Sequence, residues 1–176
     1  LDDAGRFSGY ASIFNVVDNQ NDLMAEGAFK QTLLENQGDV KLLWQHDFAE
    51  PIGVFTKIVE DARGLYVEGR LLLDIQRAKE AHALLKAGAI GGLSIGYVPV
   101  KYRIDPETGV RILEEVALYE VSVVTFPANA HATVQAVKET VPDAFAEKTD
   151  WGPEIRNGDF IRLASALEQA ISALEC

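Results

Sequence analysis

The sequence is short of cysteine, of long apolar runs and of positive charge, and each shortage excludes a class of protein. Cysteine occurs once, at Cys176, which excludes an internal disulfide and a cysteine-rich metal site. No run of 18 or more apolar residues occurs, so we expect no membrane span. No charged and then apolar leader opens the chain, so we expect a secretory signal to be absent or already removed. These features predict a cytosolic protein in a reducing compartment.

Positive charge is outweighed by negative charge along the chain. The 16 Lys and Arg residues stand against 27 Asp and Glu residues, a formal net charge of −11. Because Lys and Arg carry the affinity for phosphates, this balance argues against a nucleic-acid-binding surface. The 176 residues are 48% hydrophobic and 24% charged, which is typical of a globular chain, and the length suits one domain.

Two short segments carry side chains that are chemically complementary. Residues 44–47 present His46 at the end of an apolar run, and residues 91–97 present Ser94 among glycines. A serine is a poor nucleophile until a base removes its proton, and histidine is the usual base near neutral pH. Glu120, on a later apolar segment, is an acid that could orient the imidazole. The residues therefore predict a serine hydrolase with the chain order His46, Ser94, Glu120.

The G-x-S-x-G pattern around Ser94 does not indicate an α/β-hydrolase. In that fold a strand precedes the serine, a helix follows it, and the acid and histidine come later in the chain. Here residues 77–88 read as a helix with a glycine stop before the serine, and residues 97–104 alternate as a strand after it. The context of Ser94 is therefore the reverse of the one that the pattern requires.

Several segments, in order and at similar spacing, resemble the prohead serine protease family of tailed phages. The resemblance covers residues 7 to about 135. It is carried by residues 7–15, 26–33, 40–47, 51–53, 64–71, 84–88, 91–97 and 120–129. This family is related in fold to herpesvirus assemblin, in which the catalytic histidine and serine come in the same order and the third member is a second histidine. This chain has Glu120 at the corresponding place.

The resemblance implies a fold, a substrate and a set of roles. The fold is α+β, with a mainly antiparallel, barrel-like sheet flanked by helices. The activity is that of a serine endopeptidase that cleaves the scaffolding segment of the capsid protein and itself, inside the assembling prohead in the host cytoplasm. Partners are the capsid protein and a second copy of the chain, and no cofactor or metal is required. The turn at Ala128 and Asn129 is expected to supply backbone donors to the oxyanion.

The third catalytic role has rivals in the sequence. If β alternation holds, Leu118, Glu120, Ser122 and Val124 share one face and Glu115 points to the other. Asp47 is adjacent to His46, which is a poor geometry for orienting its ring. His131 could take the place of assemblin's second histidine, and His82 falls within the predicted helix as a surface or packing residue.

The chain after residue 135 carries a different signal. From Asp159, an N-cap candidate, apolar residues recur at helical spacing at Phe160, Leu163, Leu167, Ile171 and Leu174. We expect residues 1–135 to form the protease domain and residues 136–176 a connection and an amphipathic helix. That helix packs either on the same domain or at a dimer or scaffold contact.

Each site residue also has a plain structural interpretation. Alone, His46 could be a buried histidine, Ser94 a turn serine, and Glu120 an ion-paired strand residue. The chain could then be a non-catalytic capsid-assembly module with the same fold, since fold does not determine function. An esterase with a closed apolar pocket is a third interpretation. Whether His46 and Ser94 meet in space separates these interpretations.

Overall fold

The computed structural model describes residues 1–36 and 39–135 of the chain. These residues form eight strands and two helices. In chain order the elements are β1 (Arg6–Ile13), β2 (Asp22–Met24), α1 (Lys30–Asn36), β3 (Lys41–Trp44), β4 (Asp47–Glu60), β5 (Gly64–Leu71), α2 (Gln76–Lys86), β6 (Gly92–Ile104), β7 (Arg111–Val124) and β8 (Val134–Gln135).

The local patterns of the sequence correspond to several of these elements. The predicted hairpin on either side of residues 61–64 is the antiparallel pair β4–β5. The helix predicted over residues 77–88 is α2, which ends at Lys86 with Ala87 as its C-cap and is followed by Gly88 with a φ of +69°. A left-handed residue just after a helix is the usual place for glycine, because it has no Cβ to clash there.

The strands form one mixed sheet, in the order β2-β7-β3-β4-β5-β1-β8, with β6 paired to β7. Most pairings are antiparallel, as predicted, but β7 runs parallel to both β2 and β3. The prediction did not foresee these parallel contacts. Parallel neighbours require a crossover connection, and here the chain passes through β4, β5, α2 and β6 between β3 and β7. The crossover brings the end of β3 beside the second half of β7.

Residues 132–135 curl the sheet into a barrel-like shape. Thr133 forms a bridge with Gly92 at the start of β6, and its carbonyl accepts the Tyr10 N–H at 3.3 Å. β8 continues this contact along β1. These few residues thereby connect β6 at one end of the sheet with β1 at the other, which agrees with the predicted barrel-like core. Helices are sparse in the described residues, so the expected flanking by helices holds only for α1 and α2.

The core lies on the inner face of the curved sheet, under the two helices. Phe7, Phe29, Leu42, Leu65 and Val121 are at most 1% exposed, and each contributes about 1.5–3 kcal/mol relative to an exposed side chain. A buried hydroxyl also joins helix and sheet: Thr32 Oγ1 on α1 accepts the Leu118 N–H of β7 at 3.0 Å. This contact holds β7, the strand that carries Glu120, against the core.

A bulge in β7 interrupts the predicted alternation. Gly96 pairs with Glu120 and Tyr97 pairs with Leu118, so Tyr119 is an extra residue on β7. The extra residue breaks the period of two between Leu118, which joins the core cluster, and Glu120. The prediction that these two residues share a face is therefore wrong, and the face of Glu115 does not follow from alternation either.

The predicted amphipathic helix from Asp159, with the rest of residues 136–176, lies outside the described residues. Neither α1 nor α2 is long and apolar enough to span a bilayer.

Candidate active site

His46 lies in a two-residue turn between β3 and β4. Trp44 pairs with Asp47, and the two residues between them, Gln45 and His46, have φ values of +52° and +61°. Two consecutive positive φ values are those of a type I′ hairpin turn, and histidine is among the residues that tolerate this region. The geometry costs on the order of 1–2 kcal/mol per residue, so the surrounding contacts must hold it.

The turn is tied to the end of β7 on its Gln45 side. The Gln45 N–H donates to the Val123 carbonyl at 3.0 Å. The Gln45 side chain donates from Nε2 to Thr125 Oγ1 at 2.8 Å and accepts the Thr125 N–H at Oε1 at 3.3 Å. These bonds offset the cost of the left-handed turn and place the His46 ring over β7.

The His46 ring forms a short ion-pair contact with Glu120. His46 Nδ1 lies 2.6 Å from Glu120 Oε1, and the Glu120 side chain is 2% exposed while that of His46 is 43% exposed. A carboxylate only accepts, so Nδ1 carries the proton and Nε2 is the free base in the neutral ring. The hydrogen bond to Glu120 raises the pKa of His46 above its ordinary value, against the opposing effect of partial burial.

The Glu120 carboxylate is held by two features of neighbouring strands. Its second oxygen, Oε2, accepts a hydrogen bond from Ser122 Oγ at 2.7 Å. Across the strand pair, Gly96 leaves room for the other oxygen, because a Cβ at position 96 would overlap Oε1. One glycine of the Ser94 segment therefore makes space for the acid.

Ser94 lies within β6, directly opposite Ser122 of β7. It is 7% exposed and lines a cleft of about 370 Å³ together with His46. The Ser94 hydroxyl makes no hydrogen bond to any other described residue. Catalytic hydrogen bonds are commonly long without substrate and tighten in the complex. Its position in a strand, with α2 before it, agrees with the exclusion of the nucleophile elbow.

The turn at Ala128 and Asn129 lines the same cleft. The turn is fixed by Asn129, whose Nδ2 donates to the Ile13 carbonyl at 3.1 Å and whose Oδ1 accepts the His131 N–H at 3.1 Å. The Ala128 and Asn129 N–H groups have no acceptor among residues 1–36 and 39–135. Two free backbone donors in a fixed turn suit the stabilisation of an oxyanion.

The far end of the cleft holds a polar cluster that the sequence analysis missed. Asp22, 3% exposed, accepts hydrogen bonds from Arg111 Nε at 2.7 Å, Arg111 Nη2 at 2.5 Å and Tyr97 Oη at 2.8 Å. Burial opposes ionisation of Asp22, but these donors outweigh it and lower its pKa. Burial and the bond to Asp22 raise the pKa of Tyr97. No local motif marks the pair, because 89 residues separate Asp22 and Arg111.

The rivals for the third role form no hydrogen bond or ion pair with the His46 ring, whose partner is Glu120. Glu115 precedes Glu120 by five residues, about 16 Å along an extended strand. Asp47 Oδ1 accepts the Ala49 N–H at 2.8 Å. His131 is exposed, and its ring forms no hydrogen bond or ion pair with a described residue. His82, on α2, lies with Nε2 at 2.8 Å from the Asp2 carbonyl.

The described residues contain no group of three or more His, Cys, Asp or Glu that could hold a metal ion. Of the residues singled out in the sequence, His46, Ser94, Ala128 and Asn129 line one cleft, and Glu120 reaches it through His46. Chemically, the arrangement offers a hydroxyl, a base with an unprotonated Nε2, a buried counter-charge and two free N–H donors.

Known proteins resemble this chain in sequence over most of its length. The sequence profile of the caudovirus prohead serine proteases matches residues 1–146. The prohead protease of Enterobacteria phage HK97 is 39% identical over 148 residues, which is 79% of this chain and 65% of the HK97 protein. The matched segment thus spans slightly less than two thirds of that relative.

One solved structure adds a likeness in fold, and a second is reported for its alignment alone. The capsid assembly protease of bacteriophage T4 aligns with a TM-score of 0.51 and 18% identity, over 69% of this chain and 82% of that protein. The protease of varicella-zoster virus, a herpesvirus, aligns with a TM-score of 0.46 and 12% identity, over 74% of this chain and 62% of that protein. No conclusion about activity follows from likeness at these levels.

Proposed function

The chain belongs to the caudovirus prohead serine protease family, and on that premise we propose that it is a serine endopeptidase of capsid maturation. Its substrates are the scaffolding segment of the capsid protein and the protease itself, and cleavage occurs inside the assembling prohead in the host cytoplasm. The observation that carries the proposal is the 2.6 Å contact between His46 Nδ1 and the buried Glu120, in a cleft that Ser94 also lines.

The roles follow from the atoms that are free to react. His46 Nε2 takes the proton of the Ser94 hydroxyl as Oγ attacks the peptide carbonyl, and returns it to the departing amine. Water, deprotonated by the same nitrogen, then releases the acyl group from Ser94. Glu120 holds the Nδ1–H tautomer and stabilises the imidazolium that forms at each step.

The Ala128 and Asn129 N–H groups act on the carbonyl oxygen. That oxygen gains negative charge when Ser94 attacks, and preorganised N–H donors stabilise it without rearrangement. In serine hydrolases the loss of one such donor costs about 3 kcal/mol of the barrier. The bond from the Asn129 side chain to the Ile13 carbonyl anchors the turn that carries these two N–H groups, which supports the proposed role.

A substrate-independent test labels the nucleophile. A fluorophosphonate reagent forms a bond between phosphorus and an activated serine oxygen and loses fluoride, so its site is read by peptide mass spectrometry. We expect the label on Ser94 in the wild-type protein and none in Ser94→Ala. Ser8→Ala serves as the matched control, because Ser8 lies on β1 without lining the cleft.

A second arm tests the proposed substrate. The wild-type chain and Ser94→Ala are each expressed with the capsid protein of the same phage, and product masses are measured. Processing of both proteins by the wild type alone supports the proposal. A folded wild type that takes no label and produces no cleavage would instead indicate the non-catalytic assembly module.

A further inference from the structure

Ser122 is a buried hydroxyl that touches both the turn of His46 and the acid. Its Oγ accepts the backbone N–H of His46 at 3.0 Å and donates to Glu120 Oε2 at 2.7 Å. The residue is 0% exposed. On β7 it lies between Leu43 of β3 and Ser94 of β6, so it sits where β3, which leads into the His46 turn, meets the strands that carry Ser94 and Glu120.

The Ser122 hydroxyl acts as donor in one of its two hydrogen bonds and as acceptor in the other. A hydroxyl has one proton to donate, and here the proton goes to Glu120 Oε2. Its lone pair receives the N–H of His46, a residue whose positive φ needs external support. With Oε2 occupied, the carboxylate presents Oε1 to Nδ1 of the His46 ring. Backbone and side chain of His46 are thus fixed through the same serine, one directly and one through the acid.

We propose that Ser122 is a positioning residue that keeps the His46 ring and the Glu120 carboxylate aligned for their hydrogen bond, and that it holds His46 in the Nδ1–H tautomer. The inference rests on the proposed function, since this alignment matters for catalysis only if His46 is the base. Ser122 does not itself react. It is fully buried, and its hydroxyl is committed on both sides, whereas the Ser94 hydroxyl is free among the described residues.

A purely structural role would look different from a positioning role. Removing any buried hydroxyl that accepts a backbone N–H lowers stability, because the donor is left without a partner. Thr32 provides the matched case: its hydroxyl accepts the Leu118 N–H and joins the same strand β7, and the residue is also buried, at 4% exposed, but does not line the cleft. Thr32→Val therefore reproduces the loss of stability without touching His46 or Glu120.

The experiment compares Ser122→Ala, Thr32→Val and the wild type. For Ser122→Ala we expect kcat on a cleaved peptide to fall at least tenfold relative to Thr32→Val, with KM changed less than twofold. We also expect nitrogen-15 NMR of the neutral His46 ring to show the Nδ1–H tautomer in the wild type and in Thr32→Val, and a mixture with the Nε2–H tautomer in Ser122→Ala.

The two proposals fail in distinguishable ways. A kcat of Ser122→Ala within twofold of Thr32→Val, with the same tautomer in both, would overturn the role of Ser122 and leave the protease proposal standing. If the folded wild type cleaves no substrate, the protease proposal fails, and the tautomer measurement alone decides on Ser122. In that case an unchanged Nδ1–H tautomer in Ser122→Ala overturns the positioning role, and a mixture supports it.

Discussion

Replacing Glu120 by glutamine changes the chemistry of the site while keeping its shape. The carboxylate of Glu120 is 2% exposed, with Oε1 at 2.6 Å from His46 Nδ1 and Oε2 accepting from Ser122. In Glu120→Gln the Ser122 proton still needs an acceptor, so the amide oxygen faces Ser122 and the NH₂ faces Nδ1. The ring must then accept at Nδ1, which places its proton on Nε2, the nitrogen proposed as the base.

The expected loss is large because the base is held in the wrong tautomer. In serine proteases the corresponding change, from acid to amide, lowers kcat by about 10⁴-fold with the geometry intact. Here we expect about 10³- to 10⁴-fold, which at 1.36 kcal/mol per tenfold corresponds to about 4–5 kcal/mol of barrier. The hydrogen bond that raises the pKa of His46 also disappears, so the residual activity should rise with pH at a lower pH than in the wild type.

The assay is a pH–rate profile on one cleaved peptide, with fluorophosphonate labelling of Ser94 as a substrate-independent check. Glu115→Gln is the matched control, since it removes the same charge from the same strand about 16 Å away along β7. We expect that control to stay within twofold of the wild type. A Glu120→Gln variant within tenfold of the wild type, or an equal loss at Glu115, would refute the assignment of Glu120.

Two further predictions follow from the same contacts. The kcat/KM of the wild type should rise with pH through the pKa of His46, because only the neutral ring is a base. It should be half-maximal above pH 6.5, since Glu120 raises the pKa of His46 above the ordinary 6.5. A rate that is flat from pH 5 to 8 on the cleaved peptide would argue against a histidine base. Gly96→Ala should slow labelling of Ser94 and lower the free energy of unfolding by about 1–3 kcal/mol, since the new Cβ overlaps Glu120 Oε1. Thermal melts and labelling rates are compared with Gly91→Ala, where the Cβ meets nothing within 4 Å, and equal effects of the two changes would contradict the close approach at position 96.

The polar network around His46 was only partly predictable, although one signal for it was present. Ser122 is two residues after Glu120 on a strand, and a period of two places both side chains on one face. Gln45 would have been recognised if residues 44–47 had been interpreted as a two-residue hairpin instead of the end of an apolar run. No comparable signal exists for Asp22 and Arg111, which are joined only when β2 pairs in parallel with β7.

The chemical groups, their order and the local elements can be read from the amino-acid sequence alone. The alternating segments on either side of residues 61–64, and the helix that ends before Gly88, depend on contacts between near neighbours, so their patterns are readable along the chain. The combination of a serine among glycines, a histidine and a later acid likewise depends only on residue types. For this reason the sequence sufficed to nominate His46, Ser94 and Glu120.

Which of these groups meet, and at which atoms, depends on the tertiary structure. The crossover from β3 to β7 brings Glu120 to His46 across 74 positions, and the bulge at Tyr119 resets the faces of β7, so alternation misplaced Leu118. Strand register between distant segments depends on the packing of the whole sheet, and one inserted residue reverses every side chain beyond it. The types of the proposed catalytic groups can therefore be read from short segments, whereas their arrangement depends on contacts between distant segments.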